Sequence, residues 1–437
     1  MRQLILSREY PPAPYPTGGI GTYVQQMAQL LAEAGETVHV VAQLSEAAPR
    51  AEERLVGGRL IVHRVPLDRP APLPGGAPGA TARELAALAA TPVPAQAWAW
   101  QAALLAEALV EREGIEVIEG QEWEAPLYFL LLRRALGLGP ARRPPCIVHL
   151  HSPTELIFRY NEWETARPDY LPAKRLEDHV IGAADALLCP SRYLAAQAAA
   201  LYGVPGEAIT VIPAPVGATA AVVPRDAAAW ARGPICFVGR LEPRKGVVEW
   251  VEAAVAAAAE DPSLAFEFVG ADLPYVPGRS VREHVERGIP PALRPRFRFL
   301  GQRPRAELPG ILARARLAVV PSRWENFPNT CIEAMASGLP VLASPDGGMR
   351  EMIEDGVSGW IAPASTSAGL GEGLRRALAT TPAERAAMGA AAAAAVRRLC
   401  DNGRVVERQL TFRRAVAERG AGASCRLPAN LPWAGQP

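Results

Sequence analysis

The sequence predicts an α/β protein made of two doubly wound, Rossmann-like parallel-sheet domains. Three observations carry that expectation. A chain of 437 residues is too long for one ordinary core. Strand and helix patterns alternate over the first half, break at a stretch rich in proline and alanine, and then restart. The loops that follow the strands collect glycines and charged residues, and in open parallel sheets those loops hold the ligands.

The first strand pattern covers residues 3–6, and a proline- and glycine-rich loop follows over 11–21. A helical period runs over 22–34, with Val24, Met27, Ala28 and Leu31 on one face and Gly35 as its stop. Residues 37–42 form the next strand, which completes a βαβ unit. Residues 66–94 show no sustained period and read as an irregular excursion with a short helix. Helix 95–112 leads into strand 115–119, helix 126–136 into strand 146–151, and further strands cover 186–189 and 210–212. The break at 213–230 suits an interdomain linker.

The alternation resumes with strand 235–238, helix 247–259, and strands 266–269 and 297–300. Helix 309–315, strand 317–321, helix 329–337 and strand 341–344 follow. Alanine-rich 384–399 and the stretch 404–419 read as helices, and 420–437 as a frayed tail. The division expected is an N-terminal domain over 1–213, a linker over 214–232 and a C-terminal domain over 233–400. A last helix in 401–437 packs back on the first domain, and the two domains face a cleft.

Bulk properties narrow the class. A formal net charge of +1 gives no reason to expect nucleic acid or an anionic membrane as partner. The run Arg294, Arg296, Arg298, Arg303 and Arg305 reads as a solvated basic face. The six cysteines show no CxxC pair or metal-ligand spacing, which fits a reducing compartment. The apolar start breaks at Ser7-Arg8-Glu9, too short for a signal peptide. No run of about 18 uncharged apolar residues occurs, so no membrane span is expected. The expectation is a soluble cytoplasmic protein, with peripheral contact at the inner membrane face and oligomeric state left open.

Four strand-end loops are chemically loaded. The richest runs from Arg323 through Trp324, Glu325, Asn326, Phe327, Pro328, Asn329 and Thr330 to Glu333 and Gly338. Asn329 or Thr330 can cap the following helix, Gly338 can end it, and its first N–H groups suit an anion. Glu325 lies in the loop and Glu333 about one turn inside the helix, where a carboxylate can accept from a diol. An acidic helix start complementing the dipole is the plainer reading of the same residues. In the second loop, residues 238–246, Arg240 and Lys245 bracket a turn and can both point at a diphosphate. The third holds Gly18, Gly19 and Gly21, where backbone can approach a ligand closely; it is neither a dinucleotide fingerprint nor a P-loop. The fourth holds His149 and His151 at a strand end, with His151 nearer the ligand edge. Gln121-Glu122-Trp123-Glu124 reads as a polar turn or an acceptor contact. No HExxH or DxD motif occurs, which argues against a zinc hydrolase and against a metal-held diphosphate.

Together these loops resemble the retaining glycosyltransferases of the GT-B fold, family 4, also described as glycosyl transferases group 1. The likeness runs from Ser7-Arg8-Glu9-Tyr10-Pro11-Pro12 and Gly18-Gly19-Ile20-Gly21 to about Ile361. Its most specific part is the Glu-x7-Glu motif at Glu325 and Glu333, supported by residues 238–246 and by Val-Ile-Pro-Ala-Pro-Val at 211–216.

The resemblance implies roles. Glu325 would contact hydroxyls of the transferred sugar, which Asn326, Phe327 and Pro328 would line with backbone groups. Asn329 and Thr330 belong to the same donor-binding segment, and Glu333 would hold the ribose hydroxyls. Arg240 and Lys245 would neutralise the donor diphosphate without a metal or any cofactor. Gly18 and Gly19 would reach the same phosphates, Gln302 and Arg303 would flank the base, and His151 would sit near the anomeric carbon. The implied activity is retaining transfer of a hexosyl group from a UDP- or GDP-sugar to a glycan, lipid-linked or small-molecule acceptor. Pro328, Ala214 and Gly217 depart from residues common in the family; the last two concern interdomain details. A nucleotide-sugar 2-epimerase of the same fold and a catalytically silent nucleotide-sugar-binding subunit are the alternatives.

Overall fold

The computed structural model describes residues 1–13, 18–217, 222–276 and 278–422. The tail expectation for 423–437, part of the glycine-rich loop (14–17) and part of the linker (218–221) lie outside the described residues. The chain forms two units. The first takes Met1–Phe158, Glu164–Pro215 and the chain from Asn402 onward, and the second takes Arg159–Trp163 and Val216–Asp401.

In the first unit the elements are β1 (Arg2–Leu6), α1 (Gly19–Glu33), β2 (Thr37–Gln43), β3 (Glu52–Leu55), β4 (Leu60–Val65), α2 (Ala82–Ala89) and α3 (Ala95–Glu113). They continue with β5 (Val117–Gln121), α4 (Tyr128–Ala135), β6 (Cys146–His149), α5 (Thr154–Asn161), α6 (Tyr170–Ala183), β7 (Ala186–Cys189), α7 (Arg192–Tyr202) and β8 (Ile209–Val211). α5 ends inside the short segment that groups with the second unit. The eight strands lie in the order β3-β4-β2-β1-β5-β6-β7-β8. Only the β3–β4 pair is antiparallel. The inner strands are buried throughout apart from Thr37 at the start of β2, as expected where helices cover both faces.

The second unit holds α8 (Ala227–Arg232), β9 (Ile235–Val238), α9 (Val247–Glu260), β10 (Phe266–Val269), β11 (Pro274–Val276), β12 (Arg279–Ser280), α10 (Val281–Gly288) and β13 (Phe297–Gly301). Then come α11 (Leu308–Arg314), β14 (Leu317–Val320), α12 (Asn329–Ala336), β15 (Val341–Ala343), β16 (Gly359–Ile361), α13 (Ser367–Leu378) and α14 (Pro382–Leu399). Its parallel sheet has the order β13-β10-β9-β14-β15-β16, so the strand sequence reverses direction at β9 and β14. Ligand sites of doubly wound sheets form at such a reversal. The core beneath it joins Phe237, Trp250, Phe266 and Phe268 to Leu342 and Leu370. The last helix among the described residues, α15 (Asn402–Arg419), belongs to the first unit.

Several elements depart from the sequence expectations, each for a local reason. α1 starts at Gly19, inside the glycine loop, because glycine is tolerated at N-cap and first-turn positions. β6 stops at His149, so His151 lies in the following loop and not on the strand. β3 was hidden by its exposure, and in β4 His63 and Arg64 interrupt the apolar run although both are buried. α5 and α6 turn polar residues inward, among them Thr154, Asn161, Glu177 and Asp178, which masks their apolar period.

Candidate functional site

The chemistry of the second unit gathers where two neighbouring strands, β9 and β14, end. After β9 the chain makes a tight 3-10 turn at Pro243–Lys245 and enters α9 through Gly246, whose φ of 67° falls in the left-handed region. A Cβ on Gly246 would lie 1.9 Å from the Pro321 carbonyl oxygen, so only glycine lets this turn close on the end of β14. After β14 the loop buries Trp324 completely, stacked near the Tyr160 ring at 6.1 Å. That anchor presents Glu325 to the turn.

Glu325 takes the Lys245 ammonium on Oε2, and the same oxygen lies 3.2 Å from Arg244 Nη1. Arg244 is itself buried over the Trp324 ring, and its Nη2 donates to Glu242 Oε1 at 2.7 Å. Its backbone N–H donates to Asn161 Oδ1 at 3.1 Å. Arg240 is the exposed member: its side chain keeps 55% of its accessible surface and touches Glu242 at 3.1 Å. Two carboxylates and three cations thus share one turn, with an excess of positive charge. Burial opposes ionisation of Glu325, but Lys245 and Arg244 outweigh it and hold the carboxyl below its ordinary range. Burial opposes ionisation of Glu242 too, but Arg244, then Arg240 and Lys245, bring it down to about 2. Burial also lowers Lys245, and Glu325 offsets that only in part. The ammonium is therefore poorly solvated, and its interaction with another anion is correspondingly strong.

α12 follows at once. Its N-cap is Pro328 and makes no side-chain cap bond, so the expected capping by Asn329 or Thr330 is corrected: both are helical residues. Phe327 and Asn326 are buried in the approach. Glu333 sits one turn in, where burial raises its carboxyl above the ordinary range despite an ion pair with Arg305. That pair corrects the reading of Arg305 as a purely solvated residue. Gln302 and Arg303, by contrast, are exposed, and Arg303 turns to the Leu300 carbonyl at 3.1 Å. The loop after β15 completes the arrangement. The Gly348 N–H lies 3.1 Å and 3.0 Å from the carbonyls of Glu325 and Asn326, and a Cβ on Gly347 would stand 2.6 Å from Glu325 O. Sequence reasoning missed Arg244, Glu242 and Gly347-Gly348. The two glycines beside a strand end were the available signal.

In the first unit Gly18 is the N-cap of α1, and a Cβ there would meet Glu9 Oε2 at 3.1 Å. A carboxylate therefore stands beside the helix start, where the dipole favours negative charge. His151 stacks on His149 with ring centroids 4.1 Å apart, and Tyr23 meets both rings. Burial, then His149, lowers the His151 pKa well below the ordinary value, so the ring is neutral at pH 7. The loop that carries His151 is clamped by buried carboxyls. Glu122 Oε1 accepts from the backbone N–H of His151 at 2.6 Å and also from Ser152, while Glu177 accepts from Thr154 N–H at 2.9 Å. Glu122 is thus neither a polar surface turn nor exposed to an acceptor.

Burial pushes Glu122 up to about 7 in spite of those N–H donors. A carboxyl with a raised folded-state pKa stabilises fully below its unfolded value of about 4.3 and loses that contribution as pH rises through the folded value. Glu122→Gln keeps an acceptor oxygen for both N–H groups but cannot ionise. Its unfolding free energy, measured in urea, should gain on the wild type by about 2–3 kcal/mol between pH 5 and pH 8. A difference that is flat over this range would refute the account.

The chain matches two family descriptions: Glycosyltransferase Family 4 over residues 17–218 and Glycosyl transferases group 1 over residues 232–395. It is 28% identical over 396 residues to the D-inositol 3-phosphate glycosyltransferase of Kribbella flavida, covering 86% of this chain and 85% of that protein. It is also 28% identical over 442 residues to that of Acidothermus cellulolyticus, covering 95% and 89%. The sucrose-phosphate synthase structure from Thermosynechococcus elongatus superposes with a TM-score of 0.72 at 21% identity, over 96% of this chain and 100% of that one. Anabaena HepE, solved with UDP-glucose, gives 0.61 at 18% identity over 94% and 100%. The starch synthase IV catalytic domain of Arabidopsis thaliana, bound to ADP and acarbose, gives 0.64 at 15% identity over 96% and 99%. These structural likenesses show the fold alone.

Proposed function

We propose, from the premise that this chain belongs to the glycosyltransferases of family 4 and group 1, that it moves a hexosyl group from a UDP- or GDP-sugar to a glycan, lipid-linked or small-molecule acceptor with retention at the anomeric carbon. The observation that carries this reading is the meeting of Lys245 and Arg244 on Glu325 at the start of α12, where two strand-end loops converge. A donor diphosphate entering there exchanges one carboxylate partner of Lys245 for phosphate oxygens, with Arg240 at the exposed rim. Glu325 is then released to accept from hydroxyls of the transferred sugar, still held ionised by Arg244. Glu333 accepts from the ribose hydroxyls, and Gln302 and Arg303 flank the base from the surface.

In the reaction the bond from the anomeric carbon to the phosphate oxygen breaks, and the acceptor oxygen bonds to the same carbon from the same face. The acceptor proton goes to the departing phosphate oxygen. Lys245 and Arg240 stabilise the charge that grows on the diphosphate, which is the part of catalysis the enzyme can preorganise, with no metal or other cofactor taking part. His151, a neutral ring in the first unit, orients the acceptor. Gly18 and Gly19, at the start of α1, contribute N–H groups to the phosphates. No helix among the described residues is long and apolar enough to cross a membrane, so a lipid-linked acceptor would be met without a span in this part of the chain.

The test is thermal unfolding with a panel of UDP- and GDP-sugars at saturating concentration. One of them should stabilise the protein, by about 2.7 kcal/mol at a hundredfold excess over its Kd. Failure of every nucleotide sugar to move the transition would sink the proposal.

A further inference from the structure

Beside its strand-end loops the first unit carries a groove that the transfer reading does not use. Its volume is about 730 Å³, within the roughly 300–1,000 Å³ of small-molecule sites. Leu88 near the end of α2, Val93 before α3, Tyr128 and Phe129 at the start of α4 and Leu176 of α6 give it an apolar wall. The aromatic side is a row of rings. Trp100 meets Phe129 edge to face at 5.2 Å, Phe129 meets Tyr128 at 5.1 Å, and Tyr128 meets His179 at 5.0 Å. Rings already held by one another lose little freedom when a ligand covers them.

The polar side chains of the groove are turned toward the protein. Gln96 Nε2 donates to the Glu124 carbonyl at 2.8 Å, and the Thr91 hydroxyl donates to the Leu88 carbonyl at 2.7 Å. Gln96 Oε1 and His179 Nε2 are shielded from solvent. Burial lowers the His179 pKa, so that ring is neutral at pH 7. Among the described residues no carboxylate lines the groove, and its one fixed charge is Arg175 of α6. Arg175 is exposed and makes no hydrogen bond or ion pair among the described residues. Asp178, one turn on, is already taken by Lys174 at 3.0 Å. An apolar trough with a single unanswered guanidinium is complementary to an apolar chain that carries an anion.

The groove also adjoins the ligand edge of its sheet. Strand order in the first unit reverses at β1 and β5, where doubly wound sheets bind their ligands. Arg8 follows β1 and Glu124 follows β5, and Arg8 Nε donates to Glu124 Oε2 at 2.6 Å. Glu124 and Ala125 take φ of 61° and 46°, left-handed values that are costly for residues with a Cβ. Such strain persists only where the surroundings enforce it, as they do at ligand sites. Gln96 holds the Glu124 carbonyl, so one side chain both borders the groove and pins this strained loop.

We propose that the groove seats the apolar chain of the acceptor, a single-chain amphiphile with its anionic group on Arg175 and its free hydroxyl at the ends of β1 and β5. In transfer that hydroxyl oxygen bonds to the anomeric carbon, and its proton passes to the departing phosphate oxygen. The assignment of the amphiphile as acceptor rests on the transfer reading; its binding in the groove does not.

The test titrates 1-decanoylglycerol 3-phosphate, below its micelle threshold, into the full-length protein in a calorimeter without nucleotide. The probe should bind, and glycerol 3-phosphate should not. An octanoyl chain should bind about tenfold more weakly, since each buried methylene is worth roughly fourfold. Arg175→Gln should weaken the phosphate probe about tenfold and leave uncharged 1-decanoylglycerol unaffected. Val93→Trp, which fills the groove from a loop, should abolish binding of both in a protein that melts normally. If that variant does not fold, the Arg175→Gln pattern decides. With the nucleotide sugar giving the largest thermal shift, the sugar should appear on the probe's hydroxyl. Equal affinity for glycerol 3-phosphate overturns the proposal, as does an equal loss of charged and uncharged probes in Arg175→Gln. Binding only to vesicles of phosphatidylcholine and phosphatidylglycerol, or a concentration-dependent mass that Val93→Trp abolishes, would give the groove to a membrane or to a second copy and overturns it too. If the probe binds while no nucleotide sugar does, the transfer reading fails and the amphiphile site stands. If a nucleotide sugar binds while the probe does not, the site fails and the transfer reading stands.

Discussion

Lys245→Ala should lower transfer by about 10²- to 10³-fold, roughly 3–4 kcal/mol, in a protein that still folds. The size follows from where the ammonium sits. It is buried enough to be poorly solvated and has one carboxylate partner, Glu325, which a diphosphate can replace. An alanine there removes a charge positioned before the reaction starts, so the loss falls on kcat more than on binding. The fold should survive because Glu325 is not abandoned: Arg244 Nη1 remains 3.2 Å from the same oxygen. Single-turnover rates with the stabilising nucleotide sugar, together with a thermal melt of the variant, make the measurement. Near-normal turnover would remove Lys245 from the reaction, and an unfolded variant would show that its role is structural.

The neighbouring residue should behave in the opposite way. Arg244→Ala is expected to cost about 3–5 kcal/mol of stability, because it leaves buried carboxylates without their compensating charge. Arg244 is 3% exposed and reaches Glu242, Glu325, the Trp324 carbonyl at 3.3 Å and the Trp324 ring. Its backbone also binds the Asn161 side chain. Urea unfolding of the second unit reports the loss directly. A change below about 1 kcal/mol, the range of exposed ion pairs, would mean that water already reaches this cluster. Adjacent residues of the same charge thus divide the turn: Arg244 is locked among buried partners, and Lys245 is the more exposed of the two, on Glu325.

That division was not legible in the sequence, where Arg244 and Lys245 are two basic residues in a loop. The outline was. Strands at residues 186–189, 235–238 and 266–269 were read as observed, since buried parallel strands are short apolar runs between turn signals. Glu325, Glu333 and Lys245 were singled out because strand-end loops carry function, and Glu325 and Lys245 do meet. What stayed hidden depends on contacts between distant segments. Glu122 looked like a surface turn residue because nothing near it in sequence shows that it clamps the loop of His151. Arg305 looked solvated because its partner is 28 residues away. Arg413 lay unremarked in the helical stretch 404–419, and its partner Glu119 is 294 residues earlier. Local pattern reveals elements; it does not reveal which buried charge answers which.

The return of α15 to the first unit also has a consequence for how the protein is made. Translation delivers β1, α1, β5 and β6 early, but Arg413 and Gln409 leave the ribosome only after the whole second unit. Until then Glu119 is a carboxylate in the middle of a sheet with no guanidinium to answer it. The nascent first unit must therefore stay partly open, or keep Glu119 protonated, while the second unit, contiguous from Val216 to Asp401 apart from one short segment, can complete its own sheet. The Glu119–Arg413 contact can therefore close only after every strand of the second unit has been synthesised.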